Sequence, residues 1–181
     1  MFLVISDIHG CITYLQQALN KFEQGQYRNI LLLGDVLNHG PRNPLVDVYD
    51  PKACIALLNQ YADKIVAVRG NCDGEVDQMV LNFPLLSDMA VLMLSNHRVI
   101  LSHGHLYNKD ANDTFFARGD VYLSGHTHIP RAEYLEQKYL LNPGSITLPK
   151  GGYKHSYGVL TNEGFSVFDL ADALICEIAF E

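Results

Sequence analysis

The sequence predicts an α/β protein in which two mixed β-sheets pack face to face with helices outside. Three observations point there. Short Val, Ile and Leu runs at 2–5, 30–33, 65–68, 99–101 and 121–123 have the length and lack of alternation of strands buried on both faces. Helical patterns separate the first three runs, which implies right-handed crossovers and a parallel sheet. From Met89 onward the pattern turns to β, with more strands than one short sheet can hold.

The run 2–5 is the first strand, and Thr13 with Gln16 reads as a capping box ahead of a helix whose Leu15, Ala18, Leu19 and Phe22 form a core stripe. After the strand at 30–33, Asp50 followed by Pro51 marks a second helix start, ahead of Ile55, Leu57 and Leu58. The strand at 65–68 completes the parallel set. Residues 91–94 and 98–101 make a hairpin turning at Asn96 and His97, which places His97 in solvent. Residues 132–135 and 139–141 flank a Glu-Gln-Lys turn, 157–160 and 165–168 flank Asn162, Glu163 and Gly164, and a last strand runs over 174–179. The four residues 142–145 read as a turn.

Length and composition bound the function. The 181 residues suit a single domain, 1–181, and the composition of 48% hydrophobic and 18% charged residues is that of a globular protein rather than a disordered one. Net charge is -7 and the 13 Lys and Arg residues are scattered, which argues against a nucleic-acid polymer as partner. Cys11, Cys54, Cys72 and Cys176 show no paired spacing for a thiolate zinc site or a disulfide framework. With no signal-peptide core or apolar span in view, cytoplasmic residence without a membrane partner is expected.

The residues just beyond each buried run carry the chemistry. The five runs lead to Asp7 and His9, to Asp35, to Asn71, to His103, and to His126 and His128. Strand carboxyl ends are where open α/β sheets bind ligands, so three oxygen donors and four imidazoles should meet in one region. Gly10, Gly34, Gly70, Gly104 and Gly125 accompany them, and a missing Cβ lets backbone pass close to a crowded site. Seven ligands exceed the needs of one ion but suit two divalent ions sharing a carboxylate, with Asp35 the natural bridge. Imidazole and carboxylate donors without thiolate favour manganese, iron or zinc, and manganese is the expectation.

The ordered pieces DIHG, GD, GN, HGH and GHTH resemble the motif series of the calcineurin-like metallophosphoesterases over about residues 1–145. GDVLNHGPRN, RGNCD and NPGS are further similar to the bacterial YfcE-type phosphodiesterases of that family. The resemblance implies a four-layer αββα sandwich. It also implies that Asp7, His9, Asp35 and His128 hold one metal while Asp35, Asn71, His103 and His126 hold the other. Two such ions lower the pKa of a bridging water to give hydroxide near neutral pH, with the Asn71 amide helping to meet the developing charge. Most members carry His after the GN pair as general acid; Cys72 stands there in this chain, as in the YfcE-type members, and Asp73 is an orienting group or an alternative acid. Similar proteins are homo-oligomers, so a homo-dimer or homo-tetramer is expected.

Other residues keep two readings. His39 is a further acid or substrate contact, Arg42 grips a substrate phosphate or braces its loop, and Arg69 reads as structural. His105 orients a ligand through its second ring nitrogen or is a loop residue, and His155 stays open. The leading function is a phosphodiesterase acting on a small phosphodiester. The alternatives are a phosphomonoesterase or phosphoprotein phosphatase, and a non-catalytic protein-binding scaffold of the same fold.

Overall fold

The computed structural model describes residues 1–46, 48–107 and 116–181. Their strands form two mixed sheets. β1 (Phe2–Ile5), β2 (Asn29–Leu32) and β3 (Ile65–Ala67) are parallel neighbours, as the crossover argument predicts. The sheet continues through β9 (Ser156–Leu160), β10 (Gly164–Asp169) and β11 (Leu174–Ala179) in the order β11-β10-β9-β1-β2-β3. The second sheet contains β4 (Met89–Leu94), β5 (His97–Ser102), β6 (Val121–Ser124), β7 (Pro130–Leu135) and β8 (Lys138–Pro143), in the order β4-β5-β6-β8-β7.

Period-two side-chain geometry sorts the buried strands onto two cores. Leu3, Ile5, Ile30 and Leu32 face the helices α1 (Ile12–Gln24) and α2 (Pro51–Leu58), meeting Leu15, Leu19, Cys54 and Leu58. Val4, Leu31 and Leu33 face the other way, against Val99, Leu101, Val121, Leu123 and Leu141 of the second sheet. Each fully buried Leu, Ile or Val contributes roughly 1.5–3 kcal/mol, so strands two-sided in burial fix the sheet stacking strongly. This is the αββα sandwich expected. The described helices cover the first sheet, while Phe116 packs over Ile100, Tyr122 and Leu140 on the far face of the second.

Local signals fared unequally. Asp50 caps α2 as predicted, its Oδ1 accepting the Ala53 N–H at 2.9 Å, and Pro51 opens the helix. The capping box at Thr13 is not formed. The helix begins two residues earlier, at Ile12, with Cys11 at the cap position and no side-chain cap, because Cys11 is tied to the loop through a bridge to Tyr49. His97 is likewise not in a turn. The β4–β5 turn is Ser95 and Asn96, and His97 opens β5 as a buried residue whose Nδ1–H donates to Gly119 O at 2.9 Å. Glu136 and Gln137 form the β7–β8 turn with φ of 50° and 63°, the left-handed pair that two-residue hairpins require. Among the described residues no helix is long and apolar enough to cross a membrane.

Candidate metal centre

The ligand positions expected from the strand ends are also where the backbone is strained. Asp7, His9, Asp35, His126 and His128 have φ of 57°, 49°, 53°, 64° and 62°, the left-handed region that non-glycine residues avoid. Each such residue costs on the order of 1–3 kcal/mol, and such strain persists where surrounding contacts over-determine it. Here the compensation is visible: Asp7, His9 and Gly10 donate backbone N–H bonds to Gly34, Asp35 and Val36 carbonyls, which staples the first loop to the second. A Cβ on Gly70 would stand 2.1 Å from Asp35 Oδ1, and one on Gly125 2.0 Å from Ser6 Oγ, so these two loops reach the carboxylates only as glycine.

Around the first position, His9 Nε2 lies 3.9 Å from Asp7 Oδ1 and 3.7 Å from Asp35 Oδ2, and His128 Nε2 lies 3.1 Å from Asp7 Oδ1. Donors bound to one ion at about 2.0–2.2 Å stand roughly 3–3.6 Å apart, so this spacing suits one cation with small adjustments. At the second position, His103 Nε2 lies 3.6 Å from Asp35 Oδ2 and 3.1 Å from Asn71 Oδ1. His126 lines the same cleft, its ring centroid 5.1 Å from that of His103. Asp35 Oδ2 therefore faces imidazoles on both sides while Oδ1 accepts the Cys72 N–H at 2.8 Å.

Three imidazoles are aimed by their other nitrogen. His9 Nδ1–H donates to Asn38 O at 2.9 Å, His103 Nδ1–H to Leu33 O at 2.6 Å and His128 Nδ1–H to Leu148 O at 2.6 Å. A carbonyl only accepts, so in the neutral rings each Nε2 lone pair points inward. His9 Nε2 and Asp7 Oδ1 are buried without a hydrogen-bond partner, a costly state that a cation removes. Burial holds the His9 and His126 pKa values down, which keeps those rings neutral. Burial opposes protonation of His128 too, but the Asp7 carboxylate overcomes it and raises that pKa. Burial likewise opposes ionisation of Asp7, and the His128, His103 and Ser6 contacts bring it down to about 2. The Asp7–His128 pair thus favours positive charge at this position. The residues present fit divalent metal ions.

A family model described as the calcineurin-like phosphoesterase superfamily domain matches residues 1–164. The chain belongs to that superfamily. Phosphodiesterase YfcE of Escherichia coli K12 is 44% identical over 175 residues, covering 96% of this chain and 95% of the relative. The probable metallophosphoesterase YsnB of Bacillus subtilis is 29% identical over 167 residues, 89% of this chain and 83% of its own. A solved structure of the E. coli YfcE phosphoesterase superposes with a TM-score of 0.95 at 41% identity, covering 99% of both chains.

For the other predicted residues of this phosphoesterase the structure chooses between the readings that the sequence left open. Asp73 sits behind the metal positions: its Oδ2 accepts Asp35 N–H at 2.8 Å and Gly70 N–H at 2.7 Å, and its Oδ1 accepts Val36 N–H at 2.8 Å. It orients the Asp35 loop, and with both oxygens so engaged it is not aimed as an acid. His39 does not line the cleft; its ring packs edge-on to Tyr49 at 5.4 Å, because the backbone turns at Gly40. Arg42 does line the cleft, as does Lys150, which no motif in the sequence marks. Arg69 is structural, pairing with Asp88 at 2.5 Å. His105 packs edge-on to His103 rather than orienting it, since Leu33 O already holds the His103 Nδ1–H. His155 donates from Nδ1 to Ile146 O and stacks on Tyr14 at 3.9 Å.

The segment 142–145 is more than a turn. Asn142 and Pro143 end β8, and Asn142 Nδ2 donates to Gly125 O at 2.7 Å. Ser145 Oγ donates to Asp7 O at 2.9 Å and accepts from Leu148 N at 2.8 Å, so one hydroxyl ties the Asp7 loop to the segment that holds His128. The local sequence reads only as a turn, whereas the resemblance carried by NPGS places such a segment near the site. Ser145→Ala should weaken manganese binding on the order of 10–100-fold with far-ultraviolet circular dichroism unchanged, as isothermal titration will measure; unchanged affinity would contradict this positioning role.

Proposed function

We propose that this phosphoesterase is a dinuclear metal-dependent phosphodiesterase acting on a small phosphodiester. The observation that carries the reading is Asp35 Oδ2 at 3.7 Å from His9 Nε2 and 3.6 Å from His103 Nε2, one oxygen shared by two nitrogen-donor positions. Asp7, His9, Asp35 and His128 would hold one ion, and Asp35, Asn71, His103 and His126 the other. When bound, two divalent ions, with manganese preferred over iron or zinc, supply Lewis acidity and a water acidic enough to ionise near neutral pH, which makes a protein nucleophile unnecessary. The phosphodiesterase name of the 44% identical E. coli relative supports the diester assignment.

The chain's own residues do the rest. The cleft is about 440 Å³, enough for a small ligand, and is lined by Arg42 and Lys150 together with Asn71, Cys72, His126 and His128. Divalent ions held there would supply positive charge for the anionic phosphoryl group, and Arg42 offers paired N–H donors to its oxygens. Asn71 Nδ2 lies 3.2 Å from Cys72 Sγ, so the amide and the thiol share one wall. In the metal-free site, burial and the Asp35 carboxylate push the Cys72 thiol up to about 12, so there it holds its proton at neutral pH.

With equal manganese, bis(nitrophenyl) phosphate should turn over faster than nitrophenyl phosphate; a preferred monoester overturns the diester assignment. Hydrolysis absent both with and without added manganese, iron or zinc would favour the scaffold reading. Cys72→His, which puts an acid of pKa near 6.5 in this place, should raise alkyl-diester turnover relative to nitrophenyl-diester turnover, by up to about 10²-fold. An unchanged ratio removes Cys72 from proton transfer.

A further inference from the structure

Cys72 lines the cleft and also stands beside two of the candidate metal donors. Its sulfur, a His9 ring nitrogen and an Asp35 carboxylate oxygen all lie within 4.8 Å of one another. The thiol is held there from several sides. The Cys72 N–H is bonded to Asp35 Oδ1 at 2.8 Å, Asn71 Nδ2 donates to Sγ at 3.2 Å, and a Cβ on Gly40 would come within 2.8 Å of Sγ. Independently, His9 is fully buried and its Nε2 has no hydrogen-bond partner, so an electron pair is already aimed into the space beside the sulfur. Cys11 and Cys54 are buried in or against the hydrophobic core, and Cys176 lies on β11 of the first sheet, so Cys72 is the thiol placed at the centre.

We propose that Cys72 is a conditional metal ligand: a thiophilic cation such as zinc, cadmium or cobalt recruits its sulfur beside His9 and Asp35, whereas manganese leaves the thiol unligated. The inference rests on the metal-centre reading above. Thiolate is a soft donor that selects such cations, while manganese prefers oxygen and imidazole. Nitrogen, oxygen and sulfur donors bound at about 2.0–2.3 Å stand roughly 3.3–3.8 Å apart, so the three atoms need to close by at most about 1–1.5 Å, a movement that rotation about the Cys72 Cα–Cβ bond can supply. As the sulfur–metal bond forms, the thiol proton passes to solvent and nothing is oxidised. A ligated Cys72 has no proton left for a leaving group, so the choice of metal also decides whether this residue can act as an acid.

Cobalt titration of the chelator-stripped protein tests this. The wild type should develop both the visible bands of cobalt in a nitrogen and oxygen site and a near-ultraviolet thiolate-to-cobalt charge-transfer band, and Cys72→Ser should lose only the second. By calorimetry, Cys72→Ser should weaken cadmium on the order of tenfold or more and leave manganese unchanged. Visible bands without the charge-transfer band in the wild type overturn the thiol assignment while leaving the metal centre standing. Absence of any cobalt band overturns the centre itself. A charge-transfer band that survives in Cys72→Ser assigns ligation to another cysteine, and equal weakening of cadmium and manganese shows that Cys72 only braces Asp35; either result overturns the proposal.

Discussion

Asp35→Asn should reduce manganese-dependent diester hydrolysis by about 10³-fold or more, equivalent to roughly 4 kcal/mol of transition-state stabilisation. The substitution keeps the shape and changes the chemistry. The amide oxygen can still accept the Cys72 N–H in place of Oδ1, but that leaves an NH₂ group facing His9 and His103 where Oδ2 stood. Donor hydrogens would then occupy the space between two inward lone pairs, and no shared anionic oxygen would remain. Thermal unfolding separates this from a folding defect. For the wild type, manganese at about 100 times its dissociation constant should add about 2.7 kcal/mol, a rise of roughly 5–10 °C in Tm for a chain of this size. The variant should unfold near the metal-free wild-type temperature and show little of that rise. Retention of both the full shift and the activity would remove Asp35 as the bridge.

Asp73→Asn should cost about 2–4 kcal/mol of stability, lowering Tm by roughly 5–15 °C, because one carboxylate satisfies three buried backbone N–H groups. Asparagine offers one acceptor oxygen and turns an NH₂ group onto an N–H that already donates. The same bonds join the loops after β2 and β3, so activity should fall with stability. The effect carries a pH signature. Burial first, and then the neighbouring Asp35 charge, push the Asp73 carboxyl up from 3.8 to about 6 against the pull of its amide partners. The folded chain therefore binds this proton more tightly than the unfolded chain, and the contribution is complete below about pH 4 and lost as pH rises through 6. In the metal-free wild type, the unfolding free energy should decline across that interval, and Asp73→Asn should flatten the slope. A variant with wild-type Tm and an altered leaving-group dependence would instead make Asp73 an acid.

Much of the fold was legible because burial on both faces leaves a plain mark. Runs such as 2–5 and 30–33 had to be strands with cover on each side, and the helical stripe between them had to supply one of the covers. The convergence of the candidate donors was legible for a related reason: parallel strands point their carboxyl ends the same way, so polar donors that come directly after apolar runs collect at one edge. The misread elements were those decided by distant partners. Thr13 carries a good local capping pattern, yet Cys11 takes the cap because its backbone bridges to Tyr49, 38 positions along the chain. His97 looks like a turn residue until Gly119 O accepts its Nδ1–H.

The sequence by itself determined which side chains could bind metal and that strand ends would bring them together, since hydrophobic periodicity and residue chemistry are local properties. The tertiary structure alone decided what each does there. Whether Asp73 faces the cleft or clamps three amides, whether His39 reaches substrate or packs on Tyr49, and that Ser145 holds the Asp7 loop all depend on left-handed backbone at five donors and on contacts between residues far apart in the chain. Such contacts are set by packing two sheets and their loops into a common volume, and no window of neighbouring residues contains that information.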